Sequence, residues 1–211
     1  MSDILVFAEQ REGEIKKIAF ENLTVAKKLA TEMGSQVTAV LVGNSVAGLA
    51  AELGKYGAEK VKVYQNASLE HYSSEGYAKV MADAIQDTNA SVVIFGATAM
   101  GKDLAPRVAA KVNGAVATDV IAVEADGNDL KIVRPVYAGK VRTTIKLTAA
   151  VKILTIRPNV FLPEENPASG SVEEKAAEVS DFKESSPSIS SGNFKPVAEV
   201  SESNLRFPLM L

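Results

Sequence analysis

Apolar positions along this chain follow two rhythms. Ile4 to Ala8 is apolar throughout and predicts a strand buried on both faces. Glu9 to Glu14 is a charged loop holding Gly13. Ile15, Ala19, Leu23, Ala26, Ala30 and Met33 then recur every three or four residues, which makes one stripe of a helix facing a sheet. Gly34 follows as a C-terminal cap, and Lys16, Lys17, Lys27 and Lys28 fall on the solvated face. Val37 to Val42 predicts a second strand, and Asn44 or Ser45 can cap a short helix over Val46 to Leu53. Lys60 to Tyr64 alternates and predicts a third strand. Ser73 or Ser74 caps a helix whose inner face is Tyr77, Val80, Met81, Ala84 and Ile85. Ser91 to Phe95 is a fourth strand, and Leu104, Ala105, Val108, Ala109 and Val112 line a helix ending at Asn113-Gly114. Strand and helix thus alternate, which predicts a mostly parallel sheet with helices on both faces.

After Gly114 the rhythm changes. Val116 to Val123, Leu130 to Tyr137, Val141 to Leu147 and Val151 to Ile156 are strand-like, with short turns between them. Asp126-Gly127-Asn128 is a hairpin signal. No helix separates these runs, so they cannot all be parallel neighbours, and several are expected as antiparallel additions at one end of the sheet.

Composition changes again at Pro158. From Pro163 to Leu205 nine acidic residues face three basic ones, in a chain whose overall charge is −3. Ser, Pro, Gly and Glu dominate that stretch, as in a linker or a partner-dependent extension. Val172, Val179, Val197 and Val200 could mark short edge strands within it. We therefore expect an α/β domain over 1–161 and an acidic extension over 162–211. The final Leu205 to Leu211 is strongly apolar and suits docking or the stub of a further domain.

Charge and composition narrow the chemistry. A net charge of −3 argues against nucleic-acid binding. No apolar run is long enough to span a bilayer, so no membrane insertion is expected. The absence of cysteine excludes disulfides and thiolate metal sites. With no leader-like N-terminus, this points to the cytoplasm. His71 is the sole histidine and lacks partners at a triad or metal spacing, so no catalytic or metal residue is assigned.

The stretch Val92 to Arg107 reads as a strand, a glycine turn and the first turn of a helix. Such a junction presents free N–H groups to an anion. Gly96, Gly101 and Lys102 satisfy part of the phosphate-cradling pattern, and Thr98 lies between them. Asp103 stands where that pattern requires Ser or Thr to hold magnesium, which argues against phosphate-loop hydrolysis. Gly96, Thr98, Gly101 and Lys102 remain the candidate anion or nucleotide loop; the plainer reading is an ordinary strand–turn–helix junction. Arg134 and Arg157 each precede a proline. Each could reach a phosphate, or each pairs with an acid while Pro stops the strand.

Four segments together resemble one family. Phe95 to Ala109, with its glycine turn, looks like the helix start of the electron transfer flavoprotein alpha subunit. Arg134-Pro135-Val136-Tyr137-Ala138-Gly139-Lys140 resembles its later Arg-Pro-x-Tyr-x-Gly segment, and Thr155-Ile156-Arg157-Pro158-Asn159-Val160-Phe161 its Thr-x-Arg-Pro-x-x-Phe strand. Ile4 to Glu9 fits its first strand. The resemblance covers about residues 1 to 161. It implies an adenine nucleotide alpha-hydrolase-like first domain that supports a beta subunit. It also implies a heterodimer sharing one FAD, which carries electrons from acyl-CoA dehydrogenases and similar enzymes to the respiratory chain, as in fatty acid beta-oxidation. Such a chain is an electron carrier, not an enzyme.

The family's second domain holds most FAD contacts, and none of its motifs occurs here. No FAD residue carries over, and none is expected to be bound by this chain alone. The chain ends about where the first domain would hand over to the second. The alternative is a universal-stress-type nucleotide-binding domain, but the second half of that motif is missing after Gly101, where Gly114-Ala115 follows.

Overall fold

A computed structural model describes residues 3–179. The first strand, β1 (Ile4–Phe7), is buried along its whole length and lies near the middle of a seven-stranded sheet. Its side chains feed two separate cores. Ile4 and Val6 join Leu23, Ala26 and Ile94 on one face. Leu5 and Phe7 join Met81, Ile85, Leu104 and Phe95 on the other. Burial on both faces is why the sequence reads as a continuous apolar run.

The charged loop expected after β1 is a small hairpin, β2 (Gln10–Arg11) and β3 (Glu14–Ile15). Glu12 and Gly13 turn it with φ of 56° and 77°. Helix α1 (Lys17–Met33) follows and ends at Gly34, whose φ of 66° makes it the left-handed cap the sequence predicts. β4 (Val37–Gly43) pairs parallel to β1. The expected short helix is a 3-10 turn over Ala47–Leu49 and then α2 (Ala50–Lys55). Neither Asn44 nor Ser45 caps it; the Val46 N–H donates instead to Gln65 Oε1 at 3.1 Å. β5 (Lys60–Gln65) pairs parallel to β4. α3 (Ser74–Thr88) begins at Ser73, which accepts from Gly76 N. β6 (Val92–Gly96) pairs parallel to β1, and α4 (Ala99–Val112) runs from the Thr98 cap to Asn113.

The second half departs from expectation in its arrangement. The run Val116 to Val123 is two strands, β7 (Ala115–Val120) and β8 (Ala122–Asp126). Asp119 adopts φ 61° there, which turns the chain out of the main sheet, and the Ile121 N–H pairs with Val133 O at 2.9 Å. β8, β9 (Asp129–Val136) and β10 (Val141–Ile145) form their own three-stranded antiparallel sheet. They are antiparallel, as the turns predict, but make a second sheet instead of extending the first. Its inner residues Val123, Leu130 and Ile132 pack into the α1-side core.

β11 (Lys152–Ile156) returns to the main sheet and slots between β6 and β7, parallel to both. The antiparallel excursion therefore does the work of a crossover helix. β12 (Ser171–Ala176) adds a parallel edge strand beside β5, so Val172 lies in a strand and Val179 does not. Val197, Val200 and Leu205 to Leu211 lie outside the described residues.

Candidate functional site

The main sheet runs β12-β5-β4-β1-β6-β11-β7. The chain builds outward from β1 in one direction, then returns to build from β6 in the other. The crevice at the carboxyl ends of β1 and β6 is the place where folds of this kind hold ligands. All four candidate loop residues, Gly96, Thr98, Gly101 and Lys102, lie at this edge.

Here the crevice is bridged by the protein itself. Glu9 leaves β1 and Thr98 leaves β6, and Thr98 Oγ1 donates to Glu9 Oε2 at 2.6 Å. The same hydroxyl accepts from Gly101 N at 3.0 Å and caps α4. A carboxylate thus sits against the positive end of the helix, where an anion is favoured. Burial pushes the Glu9 carboxyl above its ordinary value, against the Thr98 hydrogen bond and the charge of Lys16, which pull it down. The strap behind it is tied down: Lys16 N donates to Glu9 O at 2.9 Å, and Gln10 Nε2 donates to Val42 O at 3.0 Å.

The two glycines are required by close approach. A Cβ on Gly101 would stand 1.9 Å from the Gly96 carbonyl oxygen, and one on Gly96 would stand 2.5 Å from Ile18 Cγ1. The turn is packed shut. A pyrophosphate placed here would meet the Glu9 carboxylate, so this turn does not fit a flavin dinucleotide.

Asp103 is used structurally. It accepts from Tyr72 OH at 2.6 Å and from Arg107 Nε at 3.0 Å. Burial opposes its charge, but those two bonds hold the Asp103 carboxyl below its ordinary value. Burial and the Asp103 bond raise the Tyr72 hydroxyl. Neighbouring His71 is exposed. Among the described residues, no three His, Cys, Asp or Glu gather as a metal site, and no helix is long and apolar enough to cross a membrane.

The two Arg-Pro pairs behave differently. Arg157 makes a forked contact with Asp119, Nε at 2.9 Å and Nη2 at 2.6 Å. That bond holds the Asp119 carboxyl below its ordinary value, with help from the charges of Lys102 and Arg134. The Asp119 N–H is fixed by the buried Thr155 hydroxyl at 2.9 Å. β11 ends at Ile156, and Pro158 lies two residues beyond it, close to where a strand stop was expected.

Arg134 forms no ion pair among the described residues, and its Nε is buried without a hydrogen-bond partner. Nor does Pro135 end its strand, because it lies inside β9 opposite Arg142. β8 pairs with β9 only as far as Val133, so one edge of β9 is open at Pro135 and no ladder N–H is missed there. Sequence reasoning passed over Glu9 and Asp119. Glu9 carried one usable signal, its position directly after the first strand. Asp119 carried none, since its left-handed backbone is not announced by glycine.

Comparison with known proteins extends this picture. The model of the electron transfer flavoprotein domain matches residues 4–182. The electron transfer flavoprotein subunit alpha of Megasphaera elsdenii is 40% identical over 183 residues, covering 84% of this chain and 54% of that protein. That of Bacillus subtilis is 35% identical over 182 residues, covering 85% of this chain and 55% of that protein. Lactate dehydrogenase (NAD(+),ferredoxin) subunit LctC of Acetobacterium woodii is 37% identical over 164 residues, covering 77% of this chain and 39% of that protein. The chain spans about half the length of the curated relatives it matches. Neither the family model nor these relatives support the universal-stress alternative.

Proposed function

Since this chain belongs to the electron transfer flavoprotein domain family, we propose that it is the support and subunit-interface part of an electron-carrying alpha subunit. It acts beside a beta subunit and is itself not an enzyme. The FAD belongs to the complete heterodimer, and this chain alone holds none, in keeping with a glycine turn closed by Glu9. The complex takes electrons from a flavin dehydrogenase acting on acyl-CoA or a related substrate, as in fatty acid beta-oxidation, and works in the cytoplasm. A relative named as a subunit of a lactate dehydrogenase (NAD(+),ferredoxin) supports including hydroxy-acid dehydrogenases among the donors considered.

The observation that supports the interface role is the outer sheet. The β9–β10 turn carries Tyr137, which is 78% exposed, the most exposed large apolar side chain among the described residues. Tyr137, Ala138 and Gly139 take φ of 51°, 54° and 87°. Two consecutive non-glycine residues in the left-handed region store strain of about 1–3 kcal/mol each, which supports a role for this turn beyond joining two strands. An aromatic held out at the tip of a hairpin suits burial in a partner.

The test mixes the chain with a beta subunit and follows size-exclusion chromatography. Co-elution at equal stoichiometry, weakened in Tyr137→Ser, supports the reading. Separate elution of two folded proteins counts against it. A flavin absorption band on the purified chain alone would overturn the cofactor assignment.

A further inference from the structure

Beside the closed turn, the same edge of the sheet carries an unbalanced group of cations. Lys102 lies in the first turn of α4, and Arg157 follows the end of β11. Arg134 lies on β9, which is joined to the end of β7 by the Ile121–Val133 hydrogen bond. Arg157 forks the Asp119 carboxylate, and Lys102 and Arg134, at the same edge, add their charge to its stabilisation. Asp119 is already engaged by two of the five N–H donors of Arg157. Lys102 and Arg134 form no ion pair among the described residues. The Arg134 Nε is sealed from solvent and has no partner. An arginine with no ion pair and an unpaired buried Nε is uncommon.

We propose that Lys102, Arg134 and Arg157, arranged around Asp119, form a binding site for a phosphate group. Three cations against one carboxylate leave two positive charges. A phosphate monoester carries about −1.5 to −2 at neutral pH and matches that excess. Guanidinium forks suit its planar pairs of oxygens, and the lysine supplies a mobile point charge. Asp119 is the positioning residue: its forked bond fixes the Arg157 plane, and Thr155 fixes Asp119. The site lies on the flank of α4, displaced from the glycine turn that the sequence motif marks. It is independent of the electron-transfer reading.

The experiment titrates the full-length, isotope-labelled chain with inorganic phosphate and then with AMP at low ionic strength, following backbone amide resonances. The expected result is a saturable shift confined to Lys102, Asp119, Arg157 and their neighbours. Lys102→Gln and Arg134→Gln should each weaken it about tenfold or more, as loss of a charge-assisted hydrogen bond does. Lys111→Gln, on the far end of α4, should leave it unchanged. AMP binding tighter than phosphate would make the ligand a nucleotide; equal binding would make it a free phosphoryl group. Absence of a saturable shift with either probe overturns the site. So does a shift that survives both glutamine variants. Should Arg134→Gln fail to fold, the exposed Lys102→Gln still decides the matter.

Discussion

Placing alanine at Gly101 sets two opposing effects against each other. In an exposed helix, glycine to alanine gains about 1 kcal/mol from reduced backbone freedom. Gly101 lies in the first turn of α4, so propensity alone predicts stabilisation. Its Cβ, however, would stand 1.9 Å from the Gly96 carbonyl oxygen. The obstacle is backbone, in a strand paired on both sides with β1 and β11, so it cannot rotate away. Overpacking of this kind costs about 3 kcal/mol or more. The net loss is then about 2 kcal/mol or more. For a domain of this size that lowers Tm by about 4–8 °C. Thermal and urea unfolding of Gly101→Ala should show this loss, while Gly48→Ala, whose Cβ meets nothing, should stay within about 0.5 kcal/mol of wild type. A Gly101→Ala protein as stable as wild type would refute the argument that close approach dictates this glycine.

Two further outcomes concern the bridged crevice. Thr98→Ala removes the α4 cap and strands Glu9, and should cost about 1–2 kcal/mol in urea unfolding; Thr98→Ser should restore most of it, and equal losses in both would count against the hydroxyl. Glu9→Gln tests burial of the charge: the raised Glu9 pKa means its stability contribution is fully present below the ordinary value of 4.5 and is lost as pH rises through the folded value. The Tm of Glu9→Gln relative to wild type should therefore climb between acid and neutral pH, and a pH-independent difference would show that Glu9 titrates as an ordinary glutamate.

Local signals in the sequence specified local structure well. The α1 stripe, its Gly34 cap, the Ser73 cap and the Asn113 stop all rest on contacts within a few residues. The place of β11 was not legible, because an apolar run of five residues pairs equally well with several neighbours. Only the right-handed return of the chain and the surrounding cores select its slot between β6 and β7. The candidate site divides the same way. Gly96 and Gly101 announce a tight turn from their spacing alone. What fills that turn does not announce itself, since Thr98 and Glu9 are 89 residues apart in the chain. Asp119 was hidden for a different reason: its backbone conformation is imposed by Thr155 and Arg157, both supplied by β11 and the residue that follows it.

The insertion of β11 has a consequence for how the chain is made. When β7 emerges from the ribosome, its place in the sheet does not yet exist, because no neighbour connects it to β6. Until residues 152–156 are synthesised, β6 and β7 both present unpaired edges, and unpaired edges invite association with other chains. The outer three-stranded sheet is completed in that interval and is built from pairings close in sequence, which form early. It can hold β7 against the nascent core while the central gap waits. β11 then closes that gap as a keystone closes an arch, bearing on both sides, and only the edge strand β12 is added after it.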